Sequence, residues 1–127
     1  ALRLVDAGFQ LVADDRVDLA VEHGRVTAAA PAALAGLIEV RGLGILEFGH
    51  HGAARLGLLA DLAPADTIER LPEPATEAVL GVALPVIRID PAAASAVARV
   101  RAALAVLLGE AASRCGALGD RAAEPAP

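Results

Sequence analysis

Two adjacent carboxylates, Asp14 and Asp15, directly follow the short apolar run Phe9–Ala13. Carboxylate side chains act as general bases and as ligands for hard cations, so the pair is a candidate for either chemistry. Because successive side chains on a strand point to opposite faces, only one of the two would normally face a given pocket. The dipeptide is equally typical of an Asx turn that ends a strand. The residues alone leave both interpretations open.

A second candidate segment combines Glu39 and Arg41 with two glycines, Gly42 and Gly44. Residues two apart on a strand share a face, so Glu39 and Arg41 are predicted to lie side by side, as a structural ion pair or as parts of a site. Glycines on either side of one residue permit a left-handed turn or a close approach of the backbone to a ligand. A GxG run without the rest of a nucleotide-binding fingerprint is weak evidence by itself.

The third candidate is Arg70, which stands one residue before a Pro-Glu-Pro loop. A guanidinium held rigidly there could be aimed at phosphate, because its planar fork of donors matches phosphate oxygens. The alternative is an arginine in a solvated loop.

The histidine and cysteine residues are weaker candidates for a functional site than the carboxylates and arginines. His50 and His51 are adjacent, so their side chains diverge, and no third metal ligand stands at a suitable spacing. Cys115 is the only cysteine, which excludes an intramolecular disulfide and thiolate metal clusters. We expect it to fill a small apolar space.

Composition excludes several classes of partner. A formal net charge of -5 and 2% aromatic residues argue against nucleic acid, whose binding needs clustered positive charge and stacking side chains. All eleven basic residues are Arg, so the chain contains no GxxxxGK[ST] phosphate loop. The longest Ala-rich stretch, Ala92–Leu108, carries Arg99 and Arg101 near its centre, so no membrane span is predicted. The protein is predicted to be soluble and cytoplasmic.

The elements that must position these residues are predicted from apolar periodicity. At 127 residues the chain is long enough for one core. Asp90 and Pro91 are typical of a helix cap and first helical residue. The predicted elements are a helix over Ala1–Ala7, a strand over Phe9–Ala13, a hairpin of Val17–Glu22 with Arg25–Ala29, two strand-like runs within Gly36–Leu46, strands over Arg55–Leu62 and Leu84–Ile89, and a helix from near Ala92 to Leu108.

Taken in order, three segments resemble the C-terminal catalytic domain of HPr kinase/phosphorylase, the bacterial enzyme that phosphorylates a serine of the phosphocarrier protein HPr. They are LVADDRVDL (Leu11–Leu19), LIEVRGLGI (Leu37–Ile45) and the short IERL (Ile68–Leu71). The second is the most specific, because a Glu-x-Arg-Gly-x-Gly run on an apolar strand is rare by chance. The resemblance covers Ala1–Ile89.

The resemblance implies an α/β fold: a mixed β-sheet P-loop-kinase core of the HPr kinase type with a C-terminal helix, here truncated at its N-terminus. It implies ATP and Mg²⁺ as cofactors and an HPr-like phosphocarrier as partner, and it is compatible with a homo-oligomer. The implied roles are a catalytic aspartate at Asp15 with Asp14 beside it, a magnesium ligand at Glu39, a signature strand and turn at Arg41, Gly42, Leu43 and Gly44, and a phosphate-facing arginine at Arg70.

Two features of the chain differ from the family pattern. In the family, a phosphate loop with its Lys precedes the helix that here begins at Ala1, so we expect such a loop upstream and only weak binding of ATP-Mg by these 127 residues alone. Asp90–Ala94 stands where long forms carry a basic loop for the phosphorylase direction, which favours a short, kinase-only relative. Residues 1–109 are predicted to form the catalytic domain and 110–127 a disordered tail. The alternative function is a degenerate relative that binds an HPr-like carrier without catalysis.

Overall fold

The computed structural model describes residues 1–124, and the chain divides into two compact units, Ala1–Leu56 and a second unit from Gly57 onward. Each unit contains its own buried residues. The predicted domain boundary at residue 109 stays a prediction.

The first unit contains one short helix and two small antiparallel sheets. One sheet has the strand order β1-β2-β5, and the other is the hairpin β3-β4. Its buried side chains are few: Leu11, Val26, Ala28 and Ile38. The elements are α1 (Leu2–Asp6), β1 (Asp18–Glu22), β2 (Arg25–Ala29), a 3₁₀ turn (Ala32–Leu34), β3 (Leu37–Val40), β4 (Gly44–Glu47) and β5 (Ala53–Arg55).

The predicted first hairpin is confirmed. β1 and β2 pair antiparallel with Glu22 opposite Arg25, so His23 and Gly24 alone form the turn. Both turn residues have positive φ, 52° and 74°, which is the backbone that matches the twist of a two-residue hairpin. On β2, Val26 and Ala28 are buried, which makes this middle strand the centre of the first unit.

The predicted strand over Phe9–Ala13 is wrong. Only Leu11 makes a β-bridge, a single parallel one to His50, and the backbone N–H of His51 donates to its carbonyl oxygen at 2.7 Å. Leu11 is nevertheless buried, so the apolar run anchors this segment through one side chain. Leu11 is the only buried residue of the run, so the prediction of a strand buried on both faces is also wrong.

The second unit is a three-stranded mixed sheet with one long helix. β8 is central, with β6 parallel on one side and β7 antiparallel on the other. The mixed α/β architecture with a helix after the last strand is thus confirmed. The elements are β6 (Leu59–Leu62), a 3₁₀ turn (Ala65–Thr67), β7 (Thr76–Val79), β8 (Val82–Ile89) and α2 (Ala96–Leu107).

Two predictions about strands are corrected in this part of the chain. The predicted strand Arg55–Leu62 is two strands, because β5 ends at Arg55 and pairs with β2 of the first unit, whereas β6 begins at Leu59 and pairs with β8. The predicted strand Leu84–Ile89 begins at Val82 and has a hairpin partner, β7, that the sequence analysis did not predict.

The C-terminal helix begins later than its apparent cap. Asp90 Oδ1 accepts from the N–H of Ala92 at 2.9 Å, while Oδ2 accepts from the N–H of Ala65 at 3.0 Å. Asp90 therefore holds a turn after β8 and ties it to the segment after β6. The helix itself starts at Ala96, with Ser95 as the preceding residue.

The core of the second unit joins β8, α2 and the segment that follows α2. Ile87 and Ile89 pack with Ala96 and Ala103, and Leu58, Val100, Ala117 and Leu118 pack against this cluster. Two backbone hydrogen bonds of 2.8 Å join Ser113 and Arg121 within this segment, and the disordered tail over residues 110–127 stays a prediction. Residues 125–127 of that prediction lie outside the described residues.

No helix within residues 1–124 is long and apolar enough to cross a membrane.

Candidate active site

Three of the predicted site residues lie together in the first unit. Asp14, Asp15 and Glu39 line one cavity of about 170 Å³. The backbone N–H of Glu39 donates to Asp14 Oδ2 at 3.4 Å, a long hydrogen bond that joins the two segments. The rest of the lining consists of Arg16, Leu34, Leu37, Ile38 and Ile45.

Local structure explains how these carboxylates come to one place. Along β3, Ile38 is buried and Glu39 is exposed, as the alternation of a strand requires, and Glu39 lies opposite Ile45 on β4. Asp14 and Asp15 lie in a bend three residues after Leu11, which is the buried anchor of their segment. The bend therefore presents its carboxylates beside the outward-facing position of β3.

The two aspartates have different surroundings. Asp14 is half-buried and accepts the hydrogen bond from β3, so its position depends on the strand. Asp15 is exposed, and within residues 1–124 its carboxylate has no hydrogen-bond or ion-pair partner. No strand precedes the pair, so an Asx turn that ends a strand is not found here, and the functional role of the two carboxylates stays a prediction. A carboxylate without a protein partner is available to accept a proton or bind a cation.

The predicted pairing of Glu39 and Arg41 on one strand face is wrong. β3 ends at Val40, so Arg41 lies in the turn, where the N–H of Leu43 donates to the carbonyl of Val40 at 2.9 Å. Arg41 does not line the cavity of the carboxylates. Within the described residues its guanidinium makes no hydrogen bond or ion pair.

The two glycines of this turn serve backbone conformation. Gly42 and Gly44 have φ of 86° and 120°, a region that other residues rarely adopt. A Cβ placed on either would meet no atom within 4 Å, so they do not mark a close approach within the protein. Residues Arg41 to Gly44 therefore shape the tip of the β3-β4 hairpin.

Gly36 is the glycine that sequence analysis missed. A Cβ at this position would lie 2.8 Å from the carbonyl oxygen of Phe48 and 2.9 Å from Nδ1 of His50. The N–H of Phe48 also donates to the carbonyl of Gly36 at 2.8 Å. Gly36 thus permits the tight passage that leads the chain into β3. In the sequence, the signal for this role is that Gly36 stands directly before β3.

Arg70 belongs to the second unit and lines two cavities there, of about 600 and 330 Å³. It is exposed, as either interpretation of the sequence requires. Arg88, which the sequence analysis did not single out, also lines the larger cavity, and its guanidinium donates to the carbonyl of Thr67 at 2.8 Å. Cys115 lines that cavity too, but as an exposed free thiol and not as a buried filler.

Within the described part of the chain, no group of three or more His, Cys, Asp or Glu side chains is placed to hold a metal ion by itself. A magnesium ion is commonly held by one or two carboxylates together with phosphate oxygens. The oxygen donors of Glu39 and its neighbouring aspartates therefore fit Mg²⁺ by chemical type, provided that a phosphate completes the coordination.

Comparison with known proteins identifies the family. A model of the HPr Serine kinase C-terminal domain matches residues 1–111. An HPr kinase/phosphorylase of Verminephrobacter eiseniae is 40% identical over 101 residues, which cover 69% of this chain and 31% of that protein. One from Lacticaseibacillus casei is 48% identical over 48 residues, or 37% of this chain and 15% of that protein.

A solved structure agrees with these sequence matches. The HPr(Ser) kinase/phosphatase from Coxiella burnetii superposes with a TM-score of 0.70 at 26% identity, covering 81% of this chain and 74% of that one. The chain belongs to the HPr serine kinase C-terminal domain family, which confirms the resemblance and the predicted fold. It spans about a third of the length of the Verminephrobacter relative.

Proposed function

We propose that this chain carries catalytic residues of an ATP-dependent kinase that phosphorylates a serine of an HPr-like phosphocarrier. The observation that carries the proposal is the single cavity lined by Asp14, Asp15 and Glu39. Phosphoryl transfer depends on positioning and on neutralising charge, with an acceptor for the proton of the attacking hydroxyl. The kinase names of the relatives support the same activity.

Asp15 is the proposed general base. Its carboxylate is exposed and has no partner within residues 1–124, so a serine hydroxyl from a protein substrate could reach it. Asp14 is the proposed positioning residue, because its Oδ2 accepts from the backbone of β3 and so holds the bend beside Glu39.

Glu39 is the proposed magnesium ligand, and Arg70 the proposed cation facing the phosphate. Mg²⁺ bound with ATP neutralises charge on the transferred phosphoryl group. Glu39 is suited to this role because the strand holds its backbone while its side chain is exposed on the cavity side. The guanidinium of Arg70 provides donors that match phosphate oxygens.

The test uses the gene product that contains these 127 residues, with HPr and ATP-Mg. Asp15→Asn is expected to lower turnover by about 10²- to 10⁴-fold with little change in nucleotide affinity, because an amide cannot accept the proton. Glu39→Gln is expected to weaken Mg²⁺-dependent nucleotide binding together with turnover, because a metal ligand acts in both the ground and transition states. Asp18→Asn, on exposed β1 and outside the cavity, is the matched control.

Single-turnover rates and nucleotide affinities separate these roles. If Asp15→Asn keeps more than about a third of the unmodified rate, the assignment of the base is wrong. Binding of HPr without any phosphorylation by the unmodified protein would favour the alternative function, a carrier-binding module.

A further inference from the structure

Two adjoining cavities in the second unit share part of their lining. The larger, of about 600 Å³, lies against β8 and α2, and the smaller, of about 330 Å³, lies beside Asp90. Their shared lining residues are Ile68, Glu69, Arg70 and Arg99. Arg99 on α2 therefore faces the same space as Arg70, which lies in the loop before β7.

Arg99 is held in one orientation by its own helix. Its Nε donates to Oγ of Ser95, one turn earlier, at 2.9 Å. Within the described residues, that bond is its only side-chain contact of this kind, so its two terminal amino groups have no protein acceptor. Arg70 likewise has no hydrogen-bond or ion-pair partner among residues 1–124. Both guanidinium groups keep donors for a ligand.

The acidic neighbours do not cancel these charges equally. Asp61 lies 3.9 Å from Arg88, so those two charges offset each other. Asp90 uses both carboxylate oxygens as acceptors for backbone N–H groups. Glu69 lines both cavities, and Glu73 lines the larger one. Glu69 is the carboxylate that belongs to the shared lining of both cavities.

We propose that Arg70 and Arg99 together bind a phosphate group in this shared space. Two arginines that line one cavity bring several donors and two positive charges to it, which suits the oxygens of a phosphate dianion. The phosphate could come from inorganic phosphate or from a phosphoserine side chain, since both present the same oxygens. The proposal deepens the proposed function, on which the role of Arg70 rests, by adding Arg99 as a second phosphate-binding residue.

The test titrates the isotope-labelled 127-residue chain with inorganic phosphate and, separately, with a phosphoserine peptide. Amide signals near Arg70 and over Ser95–Arg99 are expected to shift. Arg99→Gln is expected to weaken phosphate binding about fivefold, because one charged hydrogen-bonding partner is lost at an exposed site. Glu69→Gln is expected to strengthen it about twofold, since the opposing charge is removed.

Arg114→Gln is the matched control, because it removes the same charge from an exposed residue that lines neither cavity. Ser95→Ala keeps the charge of Arg99 but removes its tether, so it tests the site if Arg99→Gln fails to fold, with a loss of about twofold expected. Stronger binding of the phosphoserine peptide would identify a phosphoprotein as the source, and equal binding would identify any phosphate group.

The proposal is overturned if the unmodified chain shows no binding by about 10 mM phosphate. It is also overturned if Arg99→Gln and Arg114→Gln bind alike. Because no kinase activity is measured, failure here leaves the assignment of Asp15 untouched. Conversely, Arg99-dependent phosphate binding would persist even if the kinase assay failed.

Discussion

Replacing Gly36 with alanine tests how closely the chain passes at the entry to β3. The residue has φ of 76°, and its new Cβ would lie 2.8 Å from the carbonyl oxygen of Phe48 and 2.9 Å from His50 Nδ1. The imidazole can rotate away, but the carbonyl cannot, because the N–H of the same residue is bonded to Gly36. We expect about 1–2 kcal/mol of cost from the left-handed backbone and about 1–3 kcal/mol more from crowding.

Gly42→Ala is the matched control for this experiment. Its φ of 86° imposes a similar backbone cost, but its Cβ would meet no atom within 4 Å, so a loss of about 1–2 kcal/mol is expected. The free energy of unfolding is measured in urea by the fluorescence of Phe9 and Phe48, which both lie in the first unit of a chain without Trp or Tyr. Equal losses in the two variants would refute the close approach at Gly36.

Two further predictions concern the second unit. Leu80 has φ of 49° in the turn before Gly81, a backbone conformation that asparagine tolerates better than leucine. Leu80→Asn is therefore expected to raise the free energy of unfolding by about 0.5–1 kcal/mol. Thermal melting followed by circular dichroism checks this, and a lowered melting midpoint would contradict it. Asp61→Asn is expected to change the free energy of unfolding by less than about 0.5 kcal/mol, since its ion pair with Arg88 spans 3.9 Å between side chains that are 64% and 45% exposed. A larger loss in the same measurement would show that the ion pair stabilises the fold more than its exposure implies.

The hairpin of β1 and β2 was predictable because its signals are local. Alternating side chains and the His23-Gly24 turn lie within one short segment, and together they fix the pairing. The hairpin of β7 and β8 uses the same kind of turn but was missed. Leucine is not a typical turn residue, so the turn formed by Leu80 and Gly81 was not predicted.

The errors in strand prediction arise where pairing is decided far along the chain. Phe9–Ala13 has the composition of a buried strand, yet its one bridge is to His50, almost forty positions away. Arg55–Leu62 reads as one run, but its two ends pair with different strands. No local pattern contains that information, because strand partners are chosen by tertiary packing.

In the candidate site, too, residue types could be predicted from the sequence, but contacts between distant segments could not. Each carboxylate could be named from its residue type, but the meeting of Asp14 with Glu39 across 25 positions was implied only by the family resemblance. Arg99 gave no signal at all, because an arginine on a helix is ordinarily solvated. The role proposed for Arg99 rests on the cavities that it lines together with Arg70.

Few contacts hold the carboxylates of the first unit in place. The position of the proposed catalytic groups therefore depends on the stability of the segments around them. The bend at Asp14 is anchored by buried Leu11 and by one 3.4 Å hydrogen bond to β3. Gly36 in turn determines how the chain enters β3. A substitution at Gly36 should therefore disturb the position of Glu39 even where the sheet survives. Asp15 makes no side-chain hydrogen bond or ion pair within residues 1–124, so its position follows that of the bend. The position of the proposed base therefore depends both on the anchor at Leu11 and on the β3-β4 hairpin.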